Sequence, residues 1–175
     1  MNKYHILLFL LLPTLSLADD ERRDYVYFKF APGIFNSARL QPFQTKNFTL
    51  GYQLPLGSLF VWQNEMGVML DNGTSLGGKN SMFLKSRVGV DIQVGWFYSQ
   101  ALFGGALISA PDAYLGSIPN FNESLGFGIR DFKGLSIGLE YEHISNGGLA
   151  FPNIGRDSLG LKISIPLGQR RDGSL

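Results

Sequence analysis

The sequence predicts an all-β protein, an eight-stranded antiparallel up-and-down transmembrane β-barrel, and three observations predict it. Past the first eighteen residues, period-two alternation of apolar with polar or small residues runs through almost the whole chain, and helix-period patterning of any length is absent. Its 175 residues include 22 Gly, 14 Phe and 7 Tyr, a mixture suited to a narrow barrel that needs small residues inside and aromatic girdles at its two membrane interfaces. The connections between alternating segments are short and long by turns, as in outer-membrane barrels with tight turns on one rim and long loops on the other.

Before the first strand, Met1-Asn2-Lys3, the apolar run of 6–12 and Ser16-Leu17-Ala18 read as a secretory signal peptide over 1–18. That run is too short and wrongly flanked for a membrane helix. The barrel is expected over 19–167, with a polar tail at 168–175.

The first strand sets Val26, Phe28 and Phe30 against Tyr25, Tyr27 and Lys29, and the second sets Phe48, Leu50, Tyr52 and Leu54 against Asn47, Thr49, Gly51 and Gln53. A third, about 59–70, places Phe60, Trp62, Met66 and Val68 opposite Gln63, Glu65 and Gly67. In the fourth, about 81–93, Met82, Leu84, Val88, Val90 and Ile92 face away from Lys85, Arg87, Gly89, Asp91 and Gln93. The fifth, about 96–108, alternates poorly. Leu125, Phe127 and Ile129 mark the sixth, against Gly126, Gly128 and Arg130. The last two are the cleanest: Leu135, Ile137, Leu139 and Tyr141 oppose Ser136, Gly138, Glu140 and Glu142, and Leu159, Leu161, Ile163, Ile165 and Leu167 oppose Ser158, Gly160, Lys162 and Ser164.

A soluble sandwich or lipocalin-like barrel would alternate too, with its apolar face inward. Loop lengths decide between them. Tight connections at 55–57, near Gly95 and at 131–134 alternate with long ones near 35–45, 71–80, 109–122 and 146–156, so the apolar face is the lipid face and the charges point into the lumen. With the amino terminus in the periplasm, the seventh strand ends at the outer surface near Asn146.

Several functions are set aside. A formal charge of +1, with both signs scattered, offers no nucleic-acid footprint. The absence of cysteine removes disulfides, thiolate nucleophiles and thiolate metal sites. No metal or other cofactor is called for.

His5 falls in the leader, so His143 is the mature chain's histidine, and period two places it with Ser145 on the lipid face of the seventh strand. Polar groups there lack partners, so packing explains them badly. Asp157 has the same parity at the outer end of the eighth strand. A hydroxyl, an imidazole and a carboxylate on one wall fit acyl transfer: Ser145 as nucleophile, His143 as general base and then acid, and Asp157 as the group orienting the imidazole. Backbone N–H groups around 146–148, with the Asn146 side chain, are candidate oxyanion donors. Plainer alternatives stand beside these: an interfacial histidine, a loop-end carboxylate and an ordinary Asn-Gly-Gly turn. Glu140 and Glu142 have lumenal parity, where pairing with Lys85, Arg87, Arg130 or Lys162 is expected.

The stretch Glu142-His143-Ile144-Ser145-Asn146-Gly147-Gly148-Leu149, then Pro152-Asn153 and an acidic residue, resembles the lipid A 3-O-deacylases of the PagL type. The likeness extends to Leu115-Gly116-Ser117, Asn120-Phe121 and the Lys162-Ile163 to Ile165-Pro166 ending. It implies metal-free removal of the ester-linked acyl chain at the 3 position of lipid A in lipopolysaccharide, from an active site on the outside of an eight-stranded barrel in the outer leaflet of the bacterial outer membrane. His143 and Ser145 match the family's base and nucleophile, and Asn146 and Gly148 match positions linked to its oxyanion hole. The family carries Glu where Asp157 stands, so this shorter carboxylate is expected to need a small backbone shift or a bridging water to reach His143. The tail at 168–175 is a further departure. Alternatives of other classes are a non-catalytic structural or adhesion barrel and a narrow pore, the latter opposed by the crowded lumen. Whether barrels pair as homodimers stays open.

Overall fold

The computed structural model describes residues 23–35, 45–71, 79–112, 114–131 and 133–167. The expected leader and polar tail lie outside the described residues. Among these residues eight strands follow in order: β1 (Asp24–Phe35), β2 (Thr45–Leu56), β3 (Phe60–Asp71), β4 (Ser81–Val94), β5 (Phe97–Ile108), β6 (Pro119–Arg130), β7 (Ser136–Ser145) and β8 (Arg156–Leu167). Each pairs antiparallel with its neighbour, and β1 with β8 closes the barrel.

The wall is inverted relative to a soluble barrel. Phe28, Met82, Leu84, Leu125 and Phe127 are exposed on the outside, while Lys29, Glu65, Lys85, Arg87, Glu140, Glu142 and Lys162 are buried in the lumen. Buried charges persist only when paired. Lys29 Nζ reaches Glu140 at 2.6 Å, Glu142 at 2.9 Å and Glu65 at 3.1 Å. Arg87 and Lys162 also hold Glu140, at 3.1 and 3.2 Å; Lys85 pairs with Glu142, and Arg87 with Glu65. The expected cation partners of Glu140 and Glu142 therefore gain Lys29, whereas Arg130 turns to Asp91 at 3.2 Å. This plug of side chains leaves Arg87, Tyr27, Gln63 and Glu140 almost without exposure. Glycines admit the large lumenal rings: a Cβ at Gly138 would lie 2.2 Å from the Tyr98 hydroxyl, and one at Gly128 2.8 Å from the Tyr98 ring.

Two strands differ from expectation. β6 begins at Pro119, well before its apolar alternation becomes evident at Leu125, so 119–122 belong to the wall and not to the loop. β5 alternates regularly in burial, with Tyr98, Gln100, Leu102, Ala106 and Ile108 inward. Polarity hides this, because near the long-loop rim the lumen holds a small apolar core of Met69, Phe83, Ala106, Ile108, Tyr114, Leu115 and Ile144.

Candidate active site

β7 rises toward the long-loop rim with Tyr141, His143 and Ser145 at alternate outward positions. Its antiparallel register sets Asp157 of β8 directly across from His143, at the close spacing of cross-strand partners. The result is a direct bond of 2.7 Å from His143 Nδ1 to Asp157 Oδ1. The expected backbone shift or bridging water is thus unnecessary, because direct register pairing brings the short aspartate near enough. An ionised carboxylate only accepts, so Nδ1 carries the imidazole proton and Nε2 is left as the acceptor. Tyr141 donates its hydroxyl to the same Oδ1 at 2.7 Å. Side-chain exposure of 25% for His143 and 11% for Asp157 leaves the imidazole reachable from outside while its partner carboxylate is mostly shielded.

His143 and Ser145 line one cavity of about 320 Å³ with Phe103, Phe121 and Glu123. Phe103 and Phe121 stack across it with ring centroids 6.2 Å apart. Beside it, the β7–β8 connection carries Leu149 and Phe151 outward; Phe151 is 95% exposed, so nothing in the barrel covers this apolar tip.

The loop after Ser145 is held from within. Asn146 is fully buried; its N–H donates to Asn153 Oδ1 at 2.8 Å, its carboxamide donates to the carbonyls of Ala150 at 2.9 Å and Pro152 at 3.3 Å, and its Oδ1 accepts from Gly148 N–H at 2.9 Å. The donors expected to face an oxyanion are therefore engaged in shaping the loop. Gly155 packs its backbone against the imidazole: a Cβ there would sit 2.9 Å from His143 Cε1 and 3.5 Å from Nε2, on a backbone of φ 78° that favours glycine.

Two further polar groups share this wall. Tyr141 reads in the sequence as one more lipid-facing aromatic; its position two residues before His143 is the signal for its role. Glu123 lies in β6, directly across from His143 on the side away from Asp157. Extending the Leu125, Phe127 and Ile129 parity back by one step would have placed it on the lipid face.

Fold and wall together define a membrane-type β-barrel bearing a serine, a histidine and carboxylates on its lipid-facing side. The model of the lipid A 3-O-deacylase (PagL) family matches residues 46–166, and the chain belongs to that family. The lipid A deacylase PagL of Pseudomonas aeruginosa is 39% identical over 67 residues, a stretch covering 38% of this chain and 38% of that protein's length. The crystal structure of the outer membrane enzyme PagL superposes with a TM-score of 0.64 at 19% identity, covering 82% of this chain and 99% of the other. The same architecture recurs in a de novo designed transmembrane β-barrel, with a TM-score of 0.53 at 14% identity over 83% of this chain and 99% of that one. It recurs again in the outer membrane protein Ail of Yersinia pestis in a phospholipid bilayer nanodisc, with a TM-score of 0.51 at 12% identity over 83% and 100%.

Proposed function

We propose that this protein is an outer-membrane esterase that removes the 3-O-linked acyl chain of lipid A, working from the lipid-facing wall with Ser145, His143 and Asp157 as its catalytic groups. The observation that carries this is the bonded His143–Asp157 pair beside Ser145 on an exposed apolar wall, where such groups are otherwise unfavourable. Family membership supports the substrate class.

In this mechanism Ser145 Oγ attacks the ester carbonyl carbon while His143 Nε2 takes its proton, and Asp157 stabilises the resulting imidazolium. The tetrahedral intermediate expels the sugar oxygen, which receives that proton from His143. Water then attacks the acyl-serine with His143 again as base, and collapse releases the fatty acid and restores Ser145. For the oxyanion, Asn146 acts as the holder of the loop, and the Gly148 N–H is the donor that would exchange Asn146 Oδ1 for the developing charge. Acyl chains of a membrane glycolipid already lie against the wall of Leu, Phe and Val side chains, so the scissile ester reaches Ser145 by lateral diffusion.

The test is mass spectrometry of lipid A from bacteria expressing the protein. Native protein removes one acyl chain, and Ser145→Ala and His143→Ala, folded as barrels, remove none. Intact lipid A in cells carrying the folded native barrel would overturn the proposal and favour a structural or adhesion role.

A further inference from the structure

The β7–β8 connection presents apolar side chains at the outer rim and keeps its two polar ones, Asn146 and Asn153, for itself. Asn146 is buried, and its carboxamide donates to the carbonyls of Ala150 at 2.9 Å and Pro152 at 3.3 Å, one on each side of Phe151. Asn153 Oδ1 accepts from Asn146 N–H at 2.8 Å. In the neighbouring β5–β6 connection the Ser117 hydroxyl donates to the Pro119 carbonyl at 2.7 Å. What this rim leaves outside is Leu149 and Phe151, both strongly exposed.

The backbone fixes that presentation. Leu115 and Asn153 form an antiparallel bridge, and Gly116 N–H donates to the Pro152 carbonyl at 2.9 Å. A Cβ at Gly116 would lie 2.7 Å from the Phe151 carbonyl carbon, so the two connections are packed backbone to backbone while the Phe151 ring stays uncovered. At the start of the loop Gly147 lies against the Phe121 ring, where a Cβ would come within 2.7 Å. Phe121 is directly across from Ser145 and lines the same cavity. The loop therefore leans over β6, at the rim end of the cavity that holds His143 and Ser145.

The orientation of a membrane lipid says which part of a substrate meets the ring. Acyl chains run toward the bilayer midplane, so an ester held at Ser145 has its chain toward the barrel's waist and its alkoxy group toward the long-loop rim. Ser145 is the last residue of β7, and the loop carrying Phe151 begins at the next one. Phe151 thus stands on the leaving-group side. There a glycolipid offers hydroxyls, for which the loop holds no free polar side chain, and one apolar surface, the C–H face of a sugar ring.

Resting on the esterase reading above, we propose that Phe151 is a stacking platform for the sugar that leaves from the scissile ester, and that it selects esters of sugars over esters of simple alcohols. The face of an aromatic ring carries partial negative charge and attracts the polarised C–H bonds of a sugar. Because the backbone on both sides of Phe151 is already pinned, little freedom is lost when the sugar binds.

The test uses the purified full barrel in detergent micelles with two esters of one long-chain acid, the first on a ring hydroxyl of an N-acetylated amino sugar and the second on isopropanol. In Phe151→Ala, kcat/KM for the sugar ester is expected to fall by about three- to tenfold, the range of one aromatic stacking contact, with the isopropyl ester little changed. Phe151→Leu should lose as much, since it keeps the apolarity and removes the flat face, and Phe151→Tyr should retain the native preference. A sugar-ester rate that survives in Phe151→Ala overturns the inference. Equal loss on both esters also overturns it, as does a native sugar-ester rate in Phe151→Leu, which would make the tip an anchor in the acyl layer. Failure of the esterase reading itself looks different: neither ester is then cleaved in a manner that Ser145→Ala abolishes. Circular dichroism of each variant separates these outcomes from misfolding.

Discussion

Replacing Asp157 with asparagine keeps its shape and removes its charge, so it isolates what the carboxylate does for His143. The contact at stake is the 2.7 Å bond between His143 Nδ1 and Asp157 Oδ1. A hydrogen bond to a charged group contributes about 1.5–3 kcal/mol, a loss of roughly ten- to a hundredfold in rate if it strengthens only in the transition state. A carboxamide that turned its NH2 toward Nδ1 would also select the tautomer with the proton on Nε2, which cannot act as base, and that error lowers serine-hydrolase turnover about 10⁴-fold. Tyr141 limits the error. Its hydroxyl donates to the same Oδ1 at 2.7 Å, which favours the asparagine rotamer that keeps a carbonyl oxygen there. Asp157→Asn is therefore expected to lower single-turnover acyl release from lipid A by about 10²–10⁴, or about 3–5 kcal/mol of barrier. Mass spectrometry of the products, with circular dichroism to verify the barrel, measures it. A variant within about threefold of native turnover, with Ser145→Ala inactive, would refute the role of Asp157.

Three further outcomes are expected. Tyr141→Phe removes one of the two donors on Asp157 Oδ1 and should reduce kcat by about three- to tenfold, with KM and the urea midpoint little changed. Gly155→Ala places a Cβ 2.9 Å from His143 Cε1 on a left-handed backbone; stability should fall by about 1–2 kcal/mol and acyl release by at least about tenfold through the displaced imidazole. In the lumen, Glu140→Gln leaves Lys29, Arg87 and Lys162 short of the carboxylate they now share at 2.6, 3.1 and 3.2 Å. Urea unfolding should show a loss of about 3–5 kcal/mol, while the folded fraction keeps its turnover.

How much of this was legible in the sequence follows the strength of the period-two signal. Where the lumen is charged and the outside apolar, as along β4, β7 and β8, both face and strand could be read residue by residue, and parity alone brought His143, Ser145 and Asp157 to one wall. The signal weakens where polarity stops marking a face. β5 buries Leu102, Ala106 and Ile108 inside and exposes Ser99 and Gly105 outside, because the rim end of the lumen is apolar. The upper half of β6 was missed for a related reason: Asn120, Asn122 and Ser124 inside and Glu123 outside give polar residues on both faces. Glu123 was lost with it. Contacts were less legible than faces. Parity puts Tyr141 outward but not onto Asp157 Oδ1, and no pattern reveals that Asn146 closes its loop through Asn153, Ala150 and Pro152.

The alternation that exposes Asp157 also explains why its short side chain suffices. Arg156, one residue earlier, points inward, where it pairs with Asp112 and lies 3.6 Å from Asp71, with Tyr114 stacked 4.5 Å from its guanidinium. Asp112 Oδ1 accepts the N–H groups of Tyr114 and Leu115 at 2.8 and 3.0 Å. The Tyr114 carbonyl in turn accepts from Ile154 and Gly155 at 3.1 and 3.3 Å, and Gly116 N–H reaches the Pro152 carbonyl at 2.9 Å. The β5–β6 and β7–β8 connections, with the end of β3, are thereby tied at the residue preceding the carboxylate. Glycine at 155 lets the chain pass against the imidazole, and Arg156 anchors it just beyond. A long side chain can adjust for a backbone that moves, whereas an aspartate must be delivered by the backbone itself. The inward anchor supplies that delivery, so the rim loops are part of what holds His143 in its working orientation.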